Sequence, residues 1–131
     1  MNTLDKNTLM PLRALLLGRE TELLAEIKSA KETSEAGVSA ETREVDDLED
    51  LASRHERTTL QDAEIQRDRN ELADVRAALG RLDDGSYGNC IDCTQLIAPS
   101  RLAAIPAAAR CMECQTQFES RAVQQALTSR P

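Results

Sequence analysis

The sequence predicts a mainly α-helical protein: a long antiparallel coiled-coil hairpin, a small globular base that carries four cysteines, and a C-terminal helix. Apolar residues make up 40% of the 131 residues, but aromatic residues only 2%. Leucines recur at helical spacing along two long stretches, and all four cysteines fall into two C-x-x-C pairs. So few aromatic side chains favour a thin pair of helices fastened at one end over a thick globular core.

The first helix is predicted over about residues 8–33, because apolar residues recur there mostly at three- and four-residue steps. These residues are Leu9, Leu12, Leu16, Leu23, Ile27 and Ala30. Pro11 is expected in the first helical turn, where its missing N–H costs nothing. Residues 33–42 contain Ser34, Gly37 and Ser39 and predict a turn region.

The second helix is predicted from a heptad repeat, which favours a coiled-coil partner. The repeat is Leu51, Thr58, Ile65, Leu72 and Leu79, flanked by Leu48, Val75 and Leu82. The first helix is the obvious partner, folded back as an antiparallel hairpin. We therefore expect residues 1–82 to form the hairpin, with an acidic tip near 44–52, and residues 83–131 to form a cysteine finger with a C-terminal helix.

The cysteine spacing predicts a zinc site. Each C-x-x-C pair can supply two thiolates from one tight turn, and residues 94–110 suit a loop that returns the second pair to the first. A thioredoxin-type redox motif would need only one pair beside a βαβ pattern, which the sequence lacks. We expect one structural zinc ion with no position open for water, held by Cys90, Cys93, Cys111 and Cys114.

The base around these cysteines is predicted from turn residues and a few apolar side chains. Asp84 and Gly85 are expected to end the second helix, and Tyr87 to pack its ring over the finger. A small core is expected from Ile97, Leu102 and Ile105, which lie between the two cysteine pairs. Pro99 and Pro106 are expected to limit the length of any helix there. A last helix is predicted over residues 115–127, with Phe118, Ala122 and Leu127 facing inward.

The charge balance excludes several classes of partner. Asp and Glu number 23 against 16 Lys and Arg, so an acidic chain gains little from phosphate contacts, and neither DNA binding nor attachment to anionic membranes is expected. No apolar run is long enough to span a bilayer, and no signal peptide pattern opens the chain. We expect a cytoplasmic protein. His55 is the only histidine and has no base–nucleophile partners, so an enzyme is not expected.

Acidic residues crowd the start of the second helix: Asp46, Asp47 and Asp50. Carboxylates in a first turn stabilise a helix by about 0.3–1 kcal/mol each through its dipole, which accounts for one or two of them. A dense cluster at the far end of a projecting hairpin also suits a functional tip. Both interpretations stay open on these grounds.

Three motifs in the finger resemble the DksA/TraR family of zinc-finger proteins with four cysteine ligands. They are Asp84-Gly85-Ser86-Tyr87-Gly88-x-Cys90-x-x-Cys93, Arg101-Leu102-x-Ala104-x-Pro106-x-Ala108 and Cys111-x-x-Cys114. The similarity extends over about residues 47–127 without a gap, and Asp47, Asp50 and Ala52 match the family's D-x-x-D-x-A tip motif.

This resemblance implies a transcription regulator that binds RNA polymerase directly rather than promoter DNA. In the family, the coiled coil enters the secondary channel and the acidic tip acts near the active site. The member that responds to ppGpp has basic residues where this sequence has Asp74, Ile105 and Gln115. This departure from the family pattern predicts action without ppGpp, or weaker activity. Two other hypotheses stand beside it: a zinc–thiolate redox sensor, and a coiled-coil adaptor for another protein. A monomer is expected because the hairpin supplies its own coiled-coil partner.

Overall fold

The computed structural model describes residues 4–41 and 48–128, and over these ranges the protein is mainly α-helical. The helices are α1 (Lys6–Glu41), α2 (Leu48–Asp84), α3 (Pro99–Ala104) and α4 (Met112–Thr128). The only strand-like pairing in these ranges is an isolated antiparallel bridge between Asn89 and Leu96. No described helix is both long enough and apolar enough to cross a membrane. The predicted fold class is confirmed.

The chain divides into two compact units. The hairpin unit comprises Gly18–Ala73, and the finger unit comprises Met1–Leu17 together with Asp74–Pro131. Residues of α1 and α2 therefore contribute to both units. The domain division predicted between residues 82 and 83 stays a prediction.

The hairpin unit is an antiparallel pair of helices with a narrow apolar seam. Four aliphatic side chains are buried in it, two from each helix: Leu23, Ile27, Ile65 and Leu72. Arg19 of α1 forms two hydrogen bonds to Glu71 of α2, from Nε at 2.6 Å and from Nη2 at 2.9 Å. The predicted leucine stripe and heptad therefore meet along the seam, as expected for a coiled-coil hairpin.

The predicted turn over residues 33–42 is wrong for residues 33–41, because α1 continues to Glu41. Glycine costs about 1 kcal/mol inside a helix and serine less, while each added residue gains an intrahelical hydrogen bond. Helix propensity is a weak signal, and here it did not end the helix.

The start of α1 also differs from the prediction. The carbonyl of Asp5 accepts hydrogen bonds from the N–H groups of Thr8 (2.9 Å) and Leu9 (3.0 Å), so the helix begins at Lys6. Pro11 consequently lies in the second turn, exposed to solvent, rather than in the first.

The finger unit has a core drawn from helices and loops. Leu12 and Leu16 of α1 and Val75 and Ala78 of α2 are buried in this unit. The finger itself adds Tyr87, Cys90, Ile97, Leu102 and Ala108. Gly88 has φ +93°, and a Cβ there would lie 2.9 Å from Cδ1 of Leu4, so a side chain at this position would be strained and would crowd Leu4.

Two predictions about this core are wrong. Ile97 and Leu102 are buried as expected, but Ile105 is half exposed, because it follows the last residue of α3 with φ −131° and leaves the helix. In α4 no residue is buried: Phe118 is 47% exposed, Leu127 62%, and Ala122 is exposed as well. The apolar spacing of α4 is present, but it does not bury any residue of this helix.

Candidate metal centre

The cysteine finger begins at a well-formed helix end. The carbonyl of Arg81 accepts hydrogen bonds from the N–H groups of Ser86 (3.0 Å) and Tyr87 (3.1 Å), and Gly85 has φ +83°. This is the left-handed glycine that commonly ends a helix. Asp84 Oδ1 accepts hydrogen bonds from the Ser86 hydroxyl (2.6 Å) and N–H (2.9 Å), which lower the pKa of the Asp84 carboxyl. The turn thus directs the chain from α2 into the first C-x-x-C pair.

The first pair lies in a tight turn. The N–H of Cys90 donates to the carbonyl of Gln95 at 2.8 Å, and the N–H of Thr94 donates to the carbonyl of Cys90 at 3.0 Å. Thr94 has φ +63°, a left-handed conformation that lets the chain reverse directly after Cys93. Both thiols of the pair are thereby presented from one turn.

The second pair lies at the start of α4. Cys111 immediately precedes the helix and Cys114 lies in its first turn. The carbonyl of Cys111 accepts the N–H of Gln115 at 2.9 Å, and the N–H of Cys114 points to Sγ of Cys111 at 3.5 Å. N–H groups at a helix start favour negative charge, so they favour thiolates here.

The four thiols converge. Their sulfur atoms all lie within 4.8 Å of one another, and all four cysteines are free. Zinc–sulfur bonds of about 2.3 Å place tetrahedral corners about 3.8 Å apart. Sγ of Cys93 and Sγ of Cys111, one from each pair, are 3.8 Å apart. The donor set and its spacing therefore fit a tetrahedral zinc ion with four thiolate ligands.

The electrostatics of the cluster favour mixed protonation before a metal binds. Burial opposes ionisation of Cys90, but hydrogen bonds from the backbone N–H groups of Cys93, Cys111 and Asp92 outweigh it and lower the Cys90 pKa to about 6. The hydrogen bond with Cys111, followed by burial, raises the pKa of Cys114. One thiolate is thus available near neutral pH, and a zinc ion held by all four cysteines would require loss of the Cys114 proton.

Of two features that support the cluster, the sequence analysis predicted one and missed the other. Tyr87 is buried as predicted, and its hydroxyl donates to the carbonyl of Pro106 at 2.7 Å, which joins the two sides of the finger. Arg110, which precedes Cys111, was missed: it pairs with Asp92, inside the first C-x-x-C, at 2.7 Å. Asp92 lies inside the first pair and Arg110 directly precedes the second, and these opposite charges could have predicted the ion pair.

The predicted tip residues are not assembled into a described site. Asp47 lies outside the described residues. Asp50 and Ala52 belong to α2, but their side chains lie outside what the structure describes. The assignment of the tip stays a prediction.

Residues 85–120 match the family model "Prokaryotic dksA/traR C4-type zinc finger". The chain is 34% identical over 106 residues to the RNA polymerase-binding transcription factor DksA of two strains of Caulobacter vibrioides, which covers 81% of this chain and 72% of the relative. It also resembles the solved structure of transcription factor DksA2 from Pseudomonas aeruginosa, with a TM-score of 0.75 and 32% identity, over 89% of this chain and 87% of that one.

The chain belongs to the DksA/TraR family. The C4-type family description and the converging thiols together give one zinc ion as its cofactor. The relatives are described as transcription factors, in agreement with the expectation that this protein is not an enzyme.

Proposed function

We propose that this protein is a cytoplasmic transcription regulator that binds RNA polymerase directly, through the secondary channel. The observation that carries the proposal is similarity over most of the chain to a relative named for RNA polymerase binding: 34% identity over 106 residues. The likeness to DksA2 extends over 89% of the chain, so it includes helical residues as well as the finger. The formal net charge of −7 argues for a protein partner over nucleic acid.

The proposal assigns zinc to four ligands, Cys90, Cys93, Cys111 and Cys114. The convergence of their sulfur atoms within 4.8 Å supports this assignment. A bound zinc ion would crosslink the two C-x-x-C turns and neutralise part of the charge of four thiolates. The protein's own residues provide the rest of the fixed geometry: the turn after Cys90, the start of α4, and the Tyr87 hydrogen bond to Pro106.

The proposal also assigns the effect on transcription to Asp47, Asp50 and Ala52. They match the family's tip motif in order and spacing, and α2 begins at Leu48, within the motif. Carboxylates at a helix start are favoured by the helix dipole, so an acidic tip is compatible with a stable α2. These carboxylates would act near the polymerase active site after the hairpin enters the channel.

We propose that this action does not require ppGpp. The three positions at which the ppGpp-responsive family member has basic residues hold Asp74, Ile105 and Gln115 here. Asp74 and the half-exposed Ile105 offer no positive charge, and the amide of Gln115 donates to Glu119 at 3.0 Å. Guanosine phosphates bind through Arg and Lys partners, which these side chains cannot replace.

The partner is tested by co-purification with core RNA polymerase. Immobilised polymerase should retain the protein, and an established secondary-channel factor should displace it. Retention without displacement would place the protein elsewhere on polymerase, and no retention would remove polymerase as the partner and favour the adaptor hypothesis. Adding ppGpp should change neither retention nor the transcriptional effect; enhancement by ppGpp would contradict the ppGpp-independent part alone.

The tip is tested with Asp47→Asn, and Asp46→Asn is the matched control because it removes the same charge one residue outside the motif. We expect Asp47→Asn to bind polymerase within about twofold of wild type, since a single ion pair at a protein surface typically contributes little free energy. It should lose the effect on the lifetime of a short-lived promoter complex, measured by in vitro transcription. Equal loss in both variants would indicate a general charge effect instead of the motif.

The redox-sensor hypothesis predicts a different outcome. Thiolates are oxidisable when exposed, so a sensor would release zinc at low peroxide concentration. Zinc release is measured against peroxide, in parallel with transcription. If the protein retains zinc at low peroxide concentration and transcription does not change, the metal is purely structural.

A further inference from the structure

Arg110 makes contacts on two sides of the cysteine finger. Its Nε donates to Oδ2 of Asp92 at 2.7 Å, and Asp92 lies between the two cysteines of the first pair. Arg110 itself immediately precedes Cys111, the first cysteine of the second pair. This ion pair therefore joins the two C-x-x-C turns through atoms that are not zinc ligands.

The same guanidinium also contacts α4. Its Cζ lies 4.0 Å from the centroid of the Phe118 ring, a distance typical of a cation–π interaction. The carbonyl of Arg110 accepts a hydrogen bond from Nε of Arg101, in α3, at 3.0 Å. Arg110 thus contacts the first cysteine turn, α3 and α4 while preceding the second pair.

These contacts matter because most residues of α4 are exposed. No residue of α4 is buried, and Cys114 in its first turn is one of the four converging thiols. The ring of Phe118, which apolar spacing alone would place in a core, instead lies against the Arg110 cation. Besides the thiols, Arg110 therefore connects α4 to the first C-x-x-C turn.

We propose that Arg110 is a positioning residue that slows zinc release, by holding the two cysteine turns and α4 together when a metal–sulfur bond opens. The inference rests on the proposed zinc ligands. Zinc leaves a four-thiolate site stepwise, and each broken bond can re-form only while its cysteine stays near. A link outside the metal keeps the turns in place during that interval.

An ordinary surface ion pair contributes little, since solvent screens it and the side chains lose freedom. Arg110 differs because its side chain is only 20% exposed and makes two contacts at once. Its planar guanidinium can donate along its edge to Asp92 while its face lies on Phe118. Lysine cannot reproduce this arrangement.

The test is the rate of zinc release from the zinc-loaded full chain into an excess of a colorimetric chelator. Arg110→Gln should release zinc about tenfold faster than wild type, and Asp92→Asn and Phe118→Leu about threefold each, because each removes one of two modest contacts. Arg110→Lys should release zinc at least as fast as Asp92→Asn does. The matched control is Arg121→Gln, which removes the same charge from an exposed position of α4 and should release zinc at the wild-type rate.

Non-additivity provides the second measurement. Once Arg110 is replaced, Asp92→Asn has no contact left to remove, so the Arg110→Gln/Asp92→Asn double variant should release zinc no faster than Arg110→Gln. Equal release rates for Arg110→Gln, Arg121→Gln and wild type would overturn the proposal. Independent, multiplying effects of Arg110 and Asp92 would overturn the link between them.

The outcome separates this inference from the ligand assignment. If wild-type protein purified in the presence of zinc contains no bound zinc, the assignment of the four cysteine ligands is wrong. If wild type holds one zinc and the Arg110 variants release it at the wild-type rate, only the role of Arg110 fails. The single variants Asp92→Asn and Phe118→Leu change exposed side chains, so their rates of zinc release can be measured even if Arg110→Gln folds poorly.

Discussion

In the hairpin unit, the buried side chains described are four aliphatic residues shared by two helices, whereas the finger unit buries a tyrosine and a cysteine among residues from helices and loops. The hairpin seam is supplemented by Arg19, which pairs with Glu71 across the helices and with Glu22 along α1. The finger is supplemented by four converging thiols and by the Arg110 contacts.

The two units differ in the source of their stability. A helical seam is stabilised by burial of apolar surface, which requires no cofactor. A finger of this size gains much of its stability from metal binding, and that contribution varies with zinc and pH because the thiols must be deprotonated. We therefore expect the two units to lose structure under different conditions.

The largest expected effect is on the finger, on removal of the zinc site. Cys114→Ser, or chelation of wild type, should abolish stoichiometric zinc binding and expose the finger's amides to hydrogen exchange. Structural zinc sites in small peptides contribute about 10–16 kcal/mol at neutral pH. Amides between residues 18 and 41 and between 56 and 73 should keep most of their protection, because the hairpin seam contains no metal ligand.

Ala104→Ser, an exposed change in the same unit, is the control and should leave zinc content and exchange unchanged. If zinc loss removes protection from the hairpin unit as fully as from the finger unit, the two units do not differ in the way described.

The next largest effect is expected in the hairpin seam. Leu23 is 0% exposed, and truncation of a buried leucine costs about 2–5 kcal/mol. Leu23→Ala should therefore lower the free energy of opening of the hairpin amides by an amount in this range, measured by native-state hydrogen exchange. The zinc content should remain that of wild type.

Leu24→Ala is the matched control, since the neighbouring leucine is 44% exposed. We expect it to cost less than about 1 kcal/mol, because nearly half of its surface already contacts water. Similar costs for the two variants would contradict the assignment of the seam.

The smallest effect is expected from the Arg19–Glu71 pair, and it depends on pH. The hydrogen bonds from Arg19 lower the pKa of Glu71 below its usual 4.5. A carboxyl whose pKa is lowered by folding stabilises the folded state above its unfolded pKa, and loses that contribution as pH falls through the folded value. Glu71→Gln should thus cost about 0.5–1 kcal/mol near pH 7, a value typical of exposed pairs.

The difference between wild type and Glu71→Gln should shrink as the pH falls below about 4.5, where the unfolded carboxyl becomes protonated. Glu64→Gln, an exposed change on the same helix, is the matched control for the loss of one negative charge. A stability difference that stays constant as the pH is lowered well below 4.5 would exclude the ion pair as its cause.

Local spacing was sufficient to predict much of this protein. The steps between Leu12, Leu16, Leu23 and Ile27 identified the buried face of α1, and all four are buried. The two C-x-x-C pairs identified the thiols that converge, because two residues between cysteines let one turn present both sulfurs. Asp84 and Gly85 identified the end of α2, which a left-handed glycine follows.

Local patterns failed in two ways: turn-forming residues did not end α1, and apolar spacing did not show what lies opposite a residue. Residues 33–41 carry turn-forming side chains, yet α1 continues through them. Ile105 and Phe118 have the apolar character and position of core residues, but neither is buried in the finger. Hydrophobic periodicity reports that one face of a helix is apolar, and does not report whether another element covers it.

The sequence by itself therefore determined the helix faces, the four thiols and the family motifs, because each depends on residues close together in the chain. The tertiary structure decided which apolar side chains are covered, and brought Arg110 to within 2.7 Å of Asp92 although their residue numbers differ by 18. It also decided that Phe118 contacts a cation instead of a core. Such contacts depend on how distant segments pack, which no local pattern encodes.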